Sequence, residues 1–171
     1  MSDFENDIRR KQELKGRPFA DNIYYQNFGM VGIKRYDKID NLVIDQQFAI
    51  DVTIIMDNGM VLNGQEKFLS YNYSKYNSLT VEFMQDPLTD EKGDWFKLAP
   101  QFYLCAYFNE AQTDFIKYIL IYWPKLVIHT NNNVIDWRLN VNNNGRAKAS
   151  FKWINFNNIP DDCIIAKKLT E

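Results

Sequence analysis

The sequence predicts a mixed α/β domain of the α+β kind, and three observations predict it. The first residues are charged and carry helix start and stop signals. A β-branched run, FAIDVTIIM (48 to 56), then meets the turn triplet Asp57-Asn58-Gly59 and returns as MVLNGQEKFLSY. Beyond residue 95 the chain is dense in aromatic and branched residues suited to further strands.

In order, residues 2 to 15 read as helix: Ser2 or Asp3 caps, acids lead, bases follow, and Gly16 then Arg17-Pro18 stop it. A second helix is expected from 21 to about 30. The 48 to 56 strand and its return at 60 to 70 form a hairpin, because Asn and Gly tolerate the positive φ a tight turn demands. A third strand, SLTVEFM (78 to 84), is expected beside that pair. A short helix near 96 to 100 crosses over to a strand ending at Phe108, and FIKYILIYW (115 to 123) adds another, ended by Pro124. Asn142 to Gly145 reads as the turn of a late hairpin within 134 to 156.

The chain has 171 residues, 46% of them hydrophobic and 25% charged, enough for one domain spanning 1 to 171 with its own core. Its subdivisions are N-terminal helices (1 to 32), a core (48 to 123) and the late hairpin. With 20 basic against 22 acidic side chains, bulk positive charge is excluded as a source of nucleic-acid affinity. The N-terminus lacks the apolar stretch of a signal peptide, and YILIYW (118 to 123) is too short to cross a bilayer. The expectation is a cytoplasmic protein without a membrane partner. Cys105 and Cys163 lie in apolar surroundings and read as buried thiols. His129 is the single histidine; it reads as structural and builds no zinc site of its own.

The chemistry concentrates between 51 and 82. Asp51 interrupts an apolar strand, where a carboxylate is costly unless paired or metal-bound. Strand alternation puts Gln65 and Lys67 on one face and Glu66 on the other, with Asp51 able to come opposite the pair. An acid, an amide oxygen and a lysine on one face suit phosphodiester cleavage. Oxygens hold a hard Mg2+ or Mn2+, the ion activates water, and the lysine offsets charge on the phosphate. Asp57 reads as the turn residue only.

FAID (48 to 51), LNGQEKF (62 to 68) and SLTVEF (78 to 83), followed by GDWFKLAPQFYLCAYF, resemble the PD-(D/E)xK nuclease superfamily, and within it a phage-associated group with a D…QEK pattern. The resemblance runs from about residue 24 to 123. It implies a restriction-endonuclease-like core, a mixed sheet flanked by helices, and a magnesium-dependent DNA endonuclease of phage or mobile-element origin. Its catalytic set would be Asp51, Gln65, Lys67 and Glu82 or Glu66. Asp51, Gln65 and one of those two glutamates would hold the ion, with His129 and both cysteines remote.

One departure matters: the acid of the D/E-x-K signature is Gln65 here. Glu66 would fill the gap if a bulge after Gly64 shifted the register. Glu82 would fill it from the third strand, and the reading leans to Glu82 with Gln65. Asp21 and Glu13 are weaker candidates.

Lys34, Arg35 and Lys38 form a basic cluster that could follow a DNA backbone, and Arg138, Arg146, Lys148 and Lys152 form another. The four tryptophans read as core or rim residues. Cutting both strands of a duplex often needs two sites, which makes a homodimer an expectation of the nuclease reading. The alternative is a degenerate nuclease fold that binds DNA or a protein partner, for which Gln65 is the evidence.

Overall fold

The computed structural model describes residues 3–36, 47–86, 90–141 and 149–169, with side chains from residue 10 onward. The fold is α+β, as expected. One long helix, α1 (Asp3–Phe28), leads into β1 (Met30–Arg35), β2 (Val52–Met56) and β3 (Val61–Leu69). Then come β4 (Ser78–Asp86), β5 (Glu91–Lys92), β6 (Phe102–Phe108), β7 (Phe115–Tyr122), α2 (Trp123–Asn131), β8 (Arg138–Val141), β9 (Ser150–Asn155) and β10 (Ile164–Lys168). Two sheets result, in the orders β1-β2-β3-β6-β7-β10 and β5-β4-β9-β8.

The expected break between two N-terminal helices is absent, and α1 runs through Pro18. Gly16 is a contact residue rather than a stop: a Cβ there would collide with the Phe68 ring. Ala20, Ile23 and Tyr24 are buried against the first sheet, and that packing overrides the local breaker signals. The helix ends instead at Gly29, whose φ of +60° is the left-handed conformation that closes a helix.

The hairpin forms as expected. Met56 N–H donates to Met60 O at 2.9 Å, and Gly59 takes the turn's positive φ of +80°. Val52 pairs with Gly64 and Ile55 with Val61 without a register shift.

The third strand departs from expectation. β4 does not lie beside the hairpin. It pairs with β9 and, at its end, with β5, while the free edge of β3 is taken in parallel by β6. β6 is FYLCAYF, buried at all seven positions, and a strand apolar on both faces belongs in the centre of a sheet. Phe102, Leu104, Ala106 and Phe108 face α1, whereas Tyr103, Cys105 and Tyr107 face the second sheet.

That second sheet meets the first through the edge of β4. Ser78 O accepts from Tyr107 Oη at 2.5 Å, and Thr80 O accepts from Tyr103 Oη at 3.2 Å. Side chains thereby satisfy edge carbonyls that no strand covers.

The expected helix near 96 to 100 is a single 3-10 turn at Asp94–Phe96. Pro124 opens α2 rather than merely ending a strand; it sits in the first helical turn, where its missing N–H costs nothing. β8 and β9 pair antiparallel, as the late hairpin requires, and its turn lies outside the described residues. Among the described residues no helix is long and apolar enough to cross a membrane.

Candidate functional site

The strand pattern places the predicted residues where β2 begins beside the middle of β3. Asp51 immediately precedes β2, and its backbone is bonded on both sides. Its N–H donates to Gly64 O and its carbonyl accepts from Tyr36 N–H, both at 2.9 Å. Two residues earlier, Ala49 is buried with a φ of +47°, an uncommon conformation for a residue with a Cβ. The chain is therefore held firmly on its way into the site.

The Asp51 carboxylate turns onto the next strand. Oδ2 accepts the backbone N–H of Glu66 at 2.9 Å. This N–H lies just past the point where β2 pairing with β3 stops, so the side chain replaces a strand partner. Gly64 instead makes room on the α1 face, where a Cβ would overlap the Phe102 ring.

No bulge follows Gly64; the registers of β3 with β2 and with β6 are both regular there. Gln65 and Lys67 consequently share the face toward the second sheet, and Glu66 points to the α1 face. Gln65 Oε1 is buried and has no hydrogen-bond partner. A buried acceptor without a donor is costly, and a cation or a water is what satisfies one. Lys67 Nζ donates to Thr80 O at 3.1 Å and lies 5.3 Å from the centre of the Phe151 ring.

Glu66 is spoken for. Its Oε2 accepts from Arg35 Nε at 3.1 Å, and its Oε1 accepts from Arg35 at 3.0 Å and from Tyr24 Oη at 2.9 Å. Arg35 also donates to Asp21 Oδ1 at 2.5 Å. The Arg35 and Glu66 side chains are 11% and 8% exposed, so the pair is essentially desolvated. Burial opposes the charge on Arg35, but Glu66 and Asp21 outweigh it and hold its proton more tightly than usual. Burial, then Glu66, pushes the Tyr24 phenol well above its ordinary range.

Glu82 is half-buried on β4, directly across from Phe151. Leu79 and Val81 face the core, so alternation turns Thr80 and Glu82 to the opposite face of β4. Glu82 thus flanks the aromatic ring beside Lys67 instead of extending the β2–β3 surface from a neighbouring strand.

The expected basic cluster needs correction. Lys34 is exposed, with Nζ 5.1 Å from the Tyr36 ring centre, but Arg35 points inward and is committed to two carboxylates. Lys38 lies outside the described residues, as do Arg146 and Lys148. Arg138 stacks on Trp153, and Lys152 lies 4.1 Å from the Trp95 ring centre, where burial lowers its pKa.

Cys105 is not remote from the site. It pairs with Lys67 in the β3–β6 register, because β6 and not β4 is the neighbour of β3. His129 and Cys163 do lie elsewhere, at the opposite edge of the sheet. Sequence reasoning missed Arg35 as part of the carboxylate cluster, and also Tyr24 and Tyr103. The signal available was Arg35 as the last residue of a strand feeding the hairpin.

Compared with known proteins, the chain matches no family model, no curated protein and no solved structure.

Proposed function

We propose that this chain is a metal-dependent DNA endonuclease, hydrolysing phosphodiesters at the Asp51–Gln65–Lys67 surface. The observation that carries the reading is the buried, unpartnered Gln65 Oε1 beside a carboxylate pinned to the same strand, with Lys67 on the Gln65 face. The strand order adds support. An antiparallel β1-β2-β3 followed by a parallel β6 is compatible with the restriction-endonuclease-like core that the sequence resemblance implies.

Asp51 and Gln65 would hold a Mg2+ or Mn2+, with Glu82, on β4 of the second sheet, the remaining carboxylate of the expected set. The ion supplies polarisation of the phosphate and a more acidic water. Lys67 contributes a fixed ammonium against the charge that develops on the phosphate. Glu66 contributes indirectly: its Arg35 clamp fixes the β3 backbone whose N–H holds Asp51. DNA is the substrate, and a homodimer would cut both strands.

The second reading, a degenerate nuclease fold binding DNA or a protein, draws on two observations. The glutamate next to Gln65 is occupied by Arg35 and Tyr24, and Lys67 Nζ is already engaged by Thr80 O.

The deciding experiment is cleavage of plasmid and branched DNA with Mg2+ or Mn2+. Wild type should cut, and Lys67→Ala should lower the rate about 10²–10³-fold, the usual cost of losing one fixed donor to developing charge. Lys67→Arg should not restore it, since a planar guanidinium does not place its charge as an ammonium does. DNA binding without cleavage of any form would favour the degenerate module.

A further inference from the structure

At the far edge of the first sheet, three ligand types converge that the oxygen site does not use. His129 lies in the last turn of α2, and Asp162 and Cys163 lie in the 3-10 turn that leads into β10. His129 Nε2 sits 3.0 Å from Asp162 Oδ1 and 3.1 Å from Oδ2. Cys163 Sγ lies 3.8 Å from Asp162 Oδ1, and one ligand atom from each residue falls within 4.8 Å of the others. We propose that His129, Asp162 and Cys163 form a binding site for a borderline divalent cation of the Zn2+ class, completed by water.

The spacing fits that ion. Bonds of about 2.3 Å to sulfur and about 2.0–2.2 Å to nitrogen and oxygen put tetrahedral ligand atoms roughly 3.4–3.6 Å apart. The His129–Asp162 and Asp162–Cys163 separations of 3.0 and 3.8 Å are close to these values, and all three ligand atoms lie within 4.8 Å of one another. The ligand set selects as well: a thiolate and an imidazole disfavour Mg2+ and Ca2+, while one carboxylate completes a mixed sphere that Zn2+ or Co2+ accepts.

The scaffold holds the group in place. Cys163 N–H donates to Pro160 O at 2.9 Å, and Lys125 Nζ donates to Asp162 O at 3.1 Å. Lys125 Nζ also lies 3.7 Å from Asp162 Oδ2, which fixes the carboxylate from its other side. A cysteine nucleophile is the rival use of these residues. Cys163 Sγ is buried and lies 3.8 Å from the Asp162 carboxylate, whose negative charge opposes the thiolate that a nucleophile needs. Such a thiol is a poor nucleophile at neutral pH. A bound cation would instead displace its proton to buffer.

This site is independent of the Asp51 surface. β6 and β7 stand between β3 and β10, a separation of about 14 Å at ordinary strand spacing.

The test is titration of the full chain with Co2+, a spectroscopic stand-in for Zn2+. A thiolate-to-cobalt charge-transfer band should saturate at one equivalent, persist in excess Mg2+ and disappear when Zn2+ is added. Cys163→Ser should abolish the band. Should that variant fold poorly, His129→Gln, at a side chain 26% exposed, should weaken Co2+ binding about tenfold or more. Asp51→Ala should leave the band intact, separating this site from the proposed nuclease centre. No thiolate band in wild type, or unchanged affinity in His129→Gln, would overturn the proposal.

Discussion

The carboxylate of Asp51 accepts the backbone N–H of Glu66 at 2.9 Å, while the Glu66 side chain points to the other face of the strand and is clamped by Arg35. Two acids fifteen positions apart in the expected catalytic set thus act on one strand from opposite directions. Asp51 fixes its backbone, and Glu66 anchors it to α1 and β1.

That relationship separates two substitutions. Asp51→Ala leaves the Glu66 N–H without its acceptor and should cost about 1–3 kcal/mol of stability. Asp51→Asn keeps an oxygen acceptor and should lose less than about 1 kcal/mol, yet it removes the anionic ligand. Both variants should lose the Mn2+-induced rise in melting temperature. Thermal shift with and without Mn2+ checks this, and an undiminished Mn2+ response in both would place the ion elsewhere.

Arg35 is worth more to the fold than to DNA. Arg35→Met strands a buried Glu66 carboxylate, and breaking a buried pair by removing one partner costs about 3–5 kcal/mol. Asp21, at 35% exposed, is partly screened and should add little. Adding Glu66→Gln should recover much of the loss, since Tyr24 Oη can still donate to the amide. Urea denaturation of both variants reads the difference; a loss in Arg35→Met below about 1 kcal/mol would show that the pair does not hold β1 to β3.

Gly16→Ala should destabilise, against its propensity. A helix interior normally gains about 1 kcal/mol from this exchange. Here the new methyl meets the Phe68 ring, which is 9% exposed and packed by Phe108 and Phe115. Overpacking costs about 1–3 kcal/mol, so the net sign is a loss. Phe68→Leu in the same chain should reverse it. The neighbouring Pro18→Ala, at an exposed position, should stabilise by up to about 3 kcal/mol by restoring a helical donor. Circular dichroism melts order the four proteins.

Cys105 should resist thiol reagents until the chain unfolds. Burial pushes its thiol from near 9 up to about 12. Between those values the unfolded chain has released a proton that the native state keeps, so stability falls as pH rises through that window. Labelling with a disulfide reagent at pH 8 should be slow for the native protein and rapid in urea. Melting temperature should decline between about pH 9 and 11 more in wild type than in Cys105→Ala.

Much of the site's layout was legible in the residues alone. The turn triplet and β-branched run specify the hairpin, since only residues tolerant of positive φ close it. Period-two alternation then puts Gln65 and Lys67 on one face and Glu66 on the other. These are local constraints, enforced by backbone sterics within a few residues.

What lies beside β3 was decided by the tertiary structure. SLTVEFM and FYLCAYF both have strand character, and nothing within either segment says which one pairs with β3. Burial on both faces chose β6, moved Glu82 into a second sheet and put Cys105 next to Lys67. Packing against Phe68 likewise carried α1 through Gly16 and Pro18. The convergence of Arg35, Asp21 and Tyr24 on Glu66, and of His129 on Asp162 and Cys163, joins residues far apart in the chain. Local propensity carries no record of such contacts, because long-range burial and charge pairing choose among the pairings that local rules leave equal.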